Sequence, residues 1–154
     1  MKKNETAICS ECNEEVPYTM SKVKRLHLIG HDKVPVEVEE WIGHCAICGA
    51  PLLPNKYWAL NDIIIYDEYK RKLGLLTSED IKRIRKKRGM SQVELAHFIQ
   101  CGEKNIARYE NGAVQDRVFD LLIRLVDDDK AYEQMKKINK SLGTGKIAKL
   151  KPAQ

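Results

Sequence analysis

Apolar positions recur at two different periods along this chain, and the change of period divides it. From Val16 to Ile29 (VPYTMSKVKRLHLI) and from Val34 to Ile42 (VPVEVEEWI) apolar and polar residues alternate. This predicts two antiparallel strands joined by a turn at Gly30-His31-Asp32-Lys33. After Lys56 the period lengthens: Trp58, Leu60, Ile63 to Tyr66, Tyr69 and Leu73 suit a helix that ends at Gly74. Thr77 or Ser78 can cap a second helix over Glu79 to Arg88, striped by Ile81 and Ile84 and stopped by Gly89. Val118, Leu121, Leu122 and Leu125 then predict a closing helix within Asp116 to Val126, and Ala131 to Leu142 offers one more. The end, GTGKIAKLKPAQ, has no apolar period and reads as a disordered basic tail.

Between these helices lies Ser91 to Gly112, SQVELAHFIQCGEKNIARYENG, the most specific stretch of the chain. Ser91 can accept from an N–H of the first turn while Glu94 reaches back, a capping box that marks a helix start. Val93, Leu95, Ala96, Phe98 and Ile99 form its apolar face, and Ala96 is small where a second helix must cross. Gln100, Cys101 and Gly102 make a turn, and a second helix over Glu103 to Glu110 buries only Ile106 and Tyr109. Glu103, Lys104, Asn105, Ala107 and Arg108 are left to face outward, where a major groove would lie. Asn111-Gly112 ends the helix. The expected fold class is therefore α+β. A small N-terminal module with short antiparallel strands precedes an all-α helix-turn-helix domain of about five helices.

Charge sharpens the division. Residues 70–154 hold 20 Lys and Arg against 11 Asp and Glu, whereas residues 1–69 hold 7 against 11. The modest whole-chain charge of +5 thus conceals a basic half suited to phosphate and an acidic half that is not. In the basic run Lys82, Arg83, Arg85, Lys86, Lys87 and Arg88, most residues are expected on a solvated helix face, with about two touching a DNA backbone.

The acidic half carries Cys9-x-x-Cys12 and Cys45-x-x-Cys48. Each pair can supply two thiolates from one tight knuckle, and two knuckles complete tetrahedral zinc. The gap between the pairs has room for the hairpin, which brings them together. Asn13 and Gly49 follow the second Cys of each pair, and both tolerate the positive φ of a turn that aims N–H groups at sulfur. Four Cys ligands leave no open coordination position, so one structural zinc is predicted rather than a catalytic one. The competing reading, redox dithiols or disulfides, fits an oxidising compartment. The chain shows no signal peptide and no long apolar span, so a cytoplasmic location is expected, away from membranes. Cys101 reads as a small buried filler, and His27, His31, His44 and His97 are not needed as ligands. No nucleophile with a base, no paired acids and no phosphate-cradling loop stand out, so an enzyme is not expected.

The stretch S-Q-x-E-L-A followed by R-Y-E-N-G resembles the Cro/repressor-like (XRE) helix-turn-helix family over about 20 residues. That resemblance implies phosphate contacts from Gln92 and base-reading positions at Glu103, Lys104 and Arg108. Ser91 and Asn105 are further phosphate-contact candidates. Gln100 stands where the family usually has Gly, and Gly102 where it usually has a Ser or Thr cap.

The order of the two motifs, with Cys9, Cys12, Cys45 and Cys48 ahead of GEKNIARYENG, looks like the MqsA/YgiT family of zinc-binding antitoxins over about residues 7–126. The resemblance implies a type II antitoxin that dimerises through its DNA-binding module, represses its own operon at a palindromic operator in double-stranded DNA, and covers a toxin protein with its zinc module. Lys104 departs from the Asn that some members carry. The expected organisation is a zinc module with linker helix over 1–74, a helix-turn-helix domain over 75–142 and the tail over 143–154. Two alternatives stay open: a solitary transcriptional regulator, for instance phage-encoded, with a structural zinc module, and a thiol- or metal-responsive regulator.

Overall fold

A computed structural model describes residues 5–142; the basic tail predicted over 143–154 lies outside the described residues. The elements are β1 (Thr6–Cys9), β2 (Glu14–Ile29), β3 (Val34–Cys45), β4 (Pro51–Leu52), α1 (Asn55–Lys72), α2 (Ser78–Lys87), α3 (Gln92–Phe98), α4 (Asn105–Glu110), α5 (Arg117–Asp127) and α6 (Asp129–Ser141). This is the α+β class expected, an antiparallel sheet followed by helices. The chain groups into two compact units, residues 1–77 with 111–114 and residues 78–110 with 115–154. Among the described residues no helix is long and apolar enough to cross a membrane.

The first unit is built on one sheet in the order β1-β2-β3-β4, every neighbour antiparallel. The two central strands are longer than expected, 16 and 12 residues. Their turn falls at Gly30 to Lys33, where Lys33 N donates to Gly30 O at 3.2 Å and both residues have positive φ. A Cβ at Gly30 would also meet the Tyr69 hydroxyl at 2.6 Å, so a side chain there would have to displace that ring. Val36, Val38 and Glu40 are buried on one face of β3, as its alternation predicts. The partner strand departs from that rule: Leu26 and Leu28 point to the opposite face and stay 65% and 61% exposed.

Helix α1 also departs from expectation. Trp58, Leu60 and Tyr66, assigned to its apolar stripe from the sequence, are exposed, while Asn61, Asp67 and Lys70 are buried. The physical reason at Asn61 is a strand edge. Its carboxamide oxygen accepts from Trp41 N at 2.9 Å and its nitrogen donates to Trp41 O at 2.8 Å, doing for β3 what a neighbouring strand would do. The Trp41 and Tyr57 rings pack beside this contact at 5.7 Å. Lys70 Nζ is held by Asp67 at 3.2 Å inside the unit.

The second unit is the five helices α2 to α6 around Ile81, Ile84, Leu95, Ala96, Ile99, Ile106, Tyr109, Ile123 and Val126. Val93, expected in the core, is exposed. On α5 the buried stripe is Ile123 and Val126 with half-buried Phe119 and Leu122; Val118, Leu121 and Leu125 face outward at 65%, 57% and 36% exposure. Both 118-121-122-125 and 119-122-123-126 satisfy helical spacing, so periodicity alone does not choose between them. Only one stripe can face α2 and α6, and Leu122 belongs to both. Asp116 caps α5 by accepting from Val118 N and Phe119 N, and Asp128 caps α6 through Ala131 N.

Candidate metal centre and nucleic-acid interface

The two cysteine pairs occupy equivalent turns. Asn13 N donates to Cys9 O at 2.8 Å, and Gly49 N donates to Cys45 O at 3.0 Å. Asn13 and Gly49 adopt φ of 53° and 75°, the conformation their residue types favour. In the second turn Ile47 N and Cys48 N point at Cys45 Sγ from 3.3 and 3.4 Å, as a knuckle that stabilises a thiolate requires. The turns are brought together because β2 and β3 pair Tyr18 with Cys45, while β1 pairs Cys9 with Glu14.

All four sulfurs lie within 4.8 Å of one another, with Cys9 to Cys48 at 3.6 Å and Cys12 to Cys45 at 3.8 Å. A tetrahedron with metal–sulfur bonds of about 2.3 Å has edges of about 3.8 Å, so two of the separations already match it and the remainder need to close by no more than about 1 Å around one ion. Cys9 and Cys45 are buried, Cys12 is half-buried and Cys48 is exposed. The thiols do not share one acidity. The N–H of Cys48, helped by that of Ile47, draws Cys45 down to about 6. Hydrogen bonding with Cys48, then burial, pushes Cys12 up. Val16, Ala50 and Leu52 pack against the site.

The helix pair α3–α4 is set by its caps. Ser91 Oγ accepts from Glu94 N at 3.2 Å while Ser91 N donates to Glu94 Oε2 at 2.7 Å, a complete capping box. At the other end Gln100 N donates to His97 O and Cys101 N to Ala96 O, with Gln100 at φ 57°. This left-handed closure is where glycine is easiest and where this chain carries Gln. The second helix begins at Asn105, two residues later than expected; Glu103 and Lys104 form a turn, because Gly102 has no side chain to cap a start there. Asn105 N instead donates to Gly102 O at 2.8 Å.

The candidate DNA-facing residues fall into distinct environments. Lys104 and Arg108 are exposed and, among the described residues, form no ion pair. Glu103 is exposed but meets His97 Nε2 at 3.0 Å. Asn105 is half-buried. Gln92 donates from its side-chain nitrogen to Glu110 Oε2 at 2.7 Å. Glu110, not singled out from the sequence, also receives Arg85, so one carboxylate ties α2, α3 and α4 together. The signal for it was present: an acid ending a helix whose neighbours are basic.

The basic run on α2 is largely engaged within the unit. Arg85 pairs with Glu110, and Arg88 with Asp129 and the carbonyl of Val126. Arg83 and Lys87 meet Asp127 in more exposed pairs. Among the described residues, Lys86 is the one member of the run with no such partner, and Lys82 stands 4.0 Å from Glu79. Arg88 also covers the Tyr132 ring at 4.3 Å, locking α6 to α2. Cys101 is half-buried with its thiol pushed up by burial, in keeping with a filler.

No curated protein and no solved structure matches the chain. Residues 81–118, which run from α2 through the α3–α4 pair to the start of α5, match the family model described as Helix-turn-helix. The second unit therefore contains a helix-turn-helix domain of the kind carried by DNA-binding regulators, beside a separate unit whose four cysteines are placed to hold one metal ion.

Proposed function

We propose that the chain is a sequence-specific repressor of its own operon and the antitoxin of a type II toxin–antitoxin pair. In this reading residues 75–142 bind DNA and the zinc-bearing residues 1–74 bind a toxin. The observation that carries the DNA half is the exposed, unpaired state of Lys104 and Arg108 on the second helix of the pair. Arg108 presents a planar fork suited to guanine O6 and N7, and Lys104 a second donor; Glu103 accepts from cytosine N4. Ser91, Gln92 and Asn105 position the module on phosphate. The metal is zinc: four sulfurs at tetrahedral spacing, no open position and thiolate-directed N–H groups favour it, in a structural role.

A homodimer is supported by Val118, Leu121 and Leu125, an exposed aliphatic stripe on α5 in a domain whose targets are read as two half-sites about one helical turn apart. The antitoxin role rests on the resemblance of the motif order, Cys pairs before helix-turn-helix. The test is purification of the full chain from its host with stoichiometric partners identified by mass spectrometry, alongside footprinting on its upstream DNA. A stoichiometric small protein lost on deleting residues 1–69 upholds the antitoxin. A bare dimer on DNA moves the function to a solitary regulator. Cys48, exposed at the metal centre, favours one further reading, a regulator that releases metal on oxidation.

A further inference from the structure

Among the described residues, the sheet of the first unit has one long edge that carries no added strand. Pro17 O accepts from Ala46 N at 3.0 Å, in line with the β2–β3 register that pairs Tyr18 with Cys45. In an antiparallel strand the N–H and C=O of one residue point to the same side, and the sides alternate. Odd-numbered residues of β2 therefore bond to β3, and even-numbered ones face away. The edge strand β1 covers only Glu14 to Pro17. From Lys22 to Leu28, the backbone groups of Lys22, Lys24, Leu26 and Leu28 have no strand partner among the described residues.

We infer that this edge, Lys22 to Leu28 of β2, binds an extended acidic segment of a partner protein as an added strand. Charge selects the occupant. Between Val16 and Ile29 strand β2 has no Asp or Glu, yet it carries Lys22, Lys24 and Arg25 inside an otherwise acidic half. Lys24 lies across from Glu39 and forms no ion pair among the described residues, which leaves its charge to meet an added strand. A second copy of β2 laid antiparallel on this edge would set lysines against lysines or arginine, which disfavours self-pairing. An acidic strand would instead place carboxylates beside Lys22 and Lys24, and aliphatic side chains beside the exposed Leu26 and Leu28. Main-chain hydrogen bonds supply the attachment and this charge-then-apolar order the selectivity. The inference rests on the proposed function only in that the toxin is the natural owner of such a segment.

The test uses full-length protein and a capped peptide of alternating glutamate and valine, with backbone amide exchange as the readout. Exchange at Lys22, Lys24, Leu26 and Leu28 slows about tenfold or more on adding the peptide, as when an open amide gains a partner. The lysine–valine analogue has no effect. Lys24→Pro removes a donor from the open edge without touching a bond to β3, and abolishes the protection. Leu26→Glu, at an exposed side chain, does the same by repulsion. Unchanged exchange with the acidic peptide at millimolar concentration, or equal protection in both variants, overturns the inference. A toxin that copurifies undiminished with both variants overturns this surface while leaving the antitoxin reading intact.

Discussion

Arg85 of α2 and Glu110 of α4 meet through two hydrogen bonds, Nε to Oε1 at 2.5 Å and Nη2 to Oε2 at 3.0 Å, with both side chains nearly sealed from solvent. The pair ties the helix that carries Lys104 and Arg108 to the one that precedes the motif. Removing one member leaves the other charge buried, so Arg85→Ala is expected to cost about 3 kcal/mol of the second unit's stability. Lys86→Ala, one position on and exposed, is expected to cost nothing measurable. Thermal unfolding of the two variants side by side decides this; equal melting temperatures would remove the pair from any structural role.

Arg108→Ala is expected to lose about 1–3 kcal/mol of discrimination between operator and random DNA, leaving weak, salt-sensitive binding. Lys104→Ala weakens the same preference less. Competition gel shifts with both DNAs check this, and an unaltered preference in Arg108→Ala would show that the base reader lies elsewhere.

Substituting Ser for any one of Cys9, Cys12, Cys45 or Cys48 is expected to abolish stoichiometric metal and unfold the first unit while DNA binding persists. Cobalt(II) in place of zinc should give the visible bands of a tetrahedral four-thiolate site. In the folded knuckle the Cys45 thiolate, lowered from 9 to about 6 by the N–H groups of Cys48 and Ile47, adds stability that is fully present above pH 9. That stability is lost as pH falls through about 6. Protons also compete with the metal for the same thiolates, so acid is expected to release metal and loosen the unit together, read by metal-indicator titration and circular dichroism against pH.

Gln100→Gly is expected to stabilise the chain by about 1 kcal/mol, because the residue sits at φ 57° with an exposed side chain. A drop in melting temperature would mean that the Gln side chain makes up for its backbone.

Leu121→Lys, on the outward stripe of α5, is expected to keep the fold and shift the protein from dimer to monomer. Operator affinity falls with it, since two half-sites must then be held separately. Analytical ultracentrifugation, with circular dichroism for integrity, gives the answer; an unchanged sedimentation coefficient would place the dimer contact off α5.

Features dictated by neighbours in sequence were legible in advance. The turn at Gly30 to Lys33, the Ser91–Glu94 box and the knuckles at Asn13 and Gly49 each depend on a few adjacent residues whose backbone preferences are strong. Features decided by distant partners were not. The α2 cations find Asp127 and Asp129 far along the chain, so a run expected mostly on a solvated helix face serves mainly to brace α5 and α6. Likewise α1 buries Asn61 because a strand edge waits there, which no helical period encodes. On α5 two interleaved stripes are equally periodic, and packing alone chose between them.

The contact between Asn61 and Trp41 limits how many neighbours the sheet can accept. On the far side of β3, Gly43 is taken by Leu52, Trp41 is saturated by a side chain, and Pro35 has no hydrogen to offer. Between these closed positions only Glu37 and Glu39 keep backbone groups without a strand partner among the described residues, a shorter and acidic stretch compared with the β2 margin. A strand added on β2 therefore finds opposite it only a short stretch, interrupted on both sides and flanked by glutamates, which opposes a further molecule extending the sheet into a fibre.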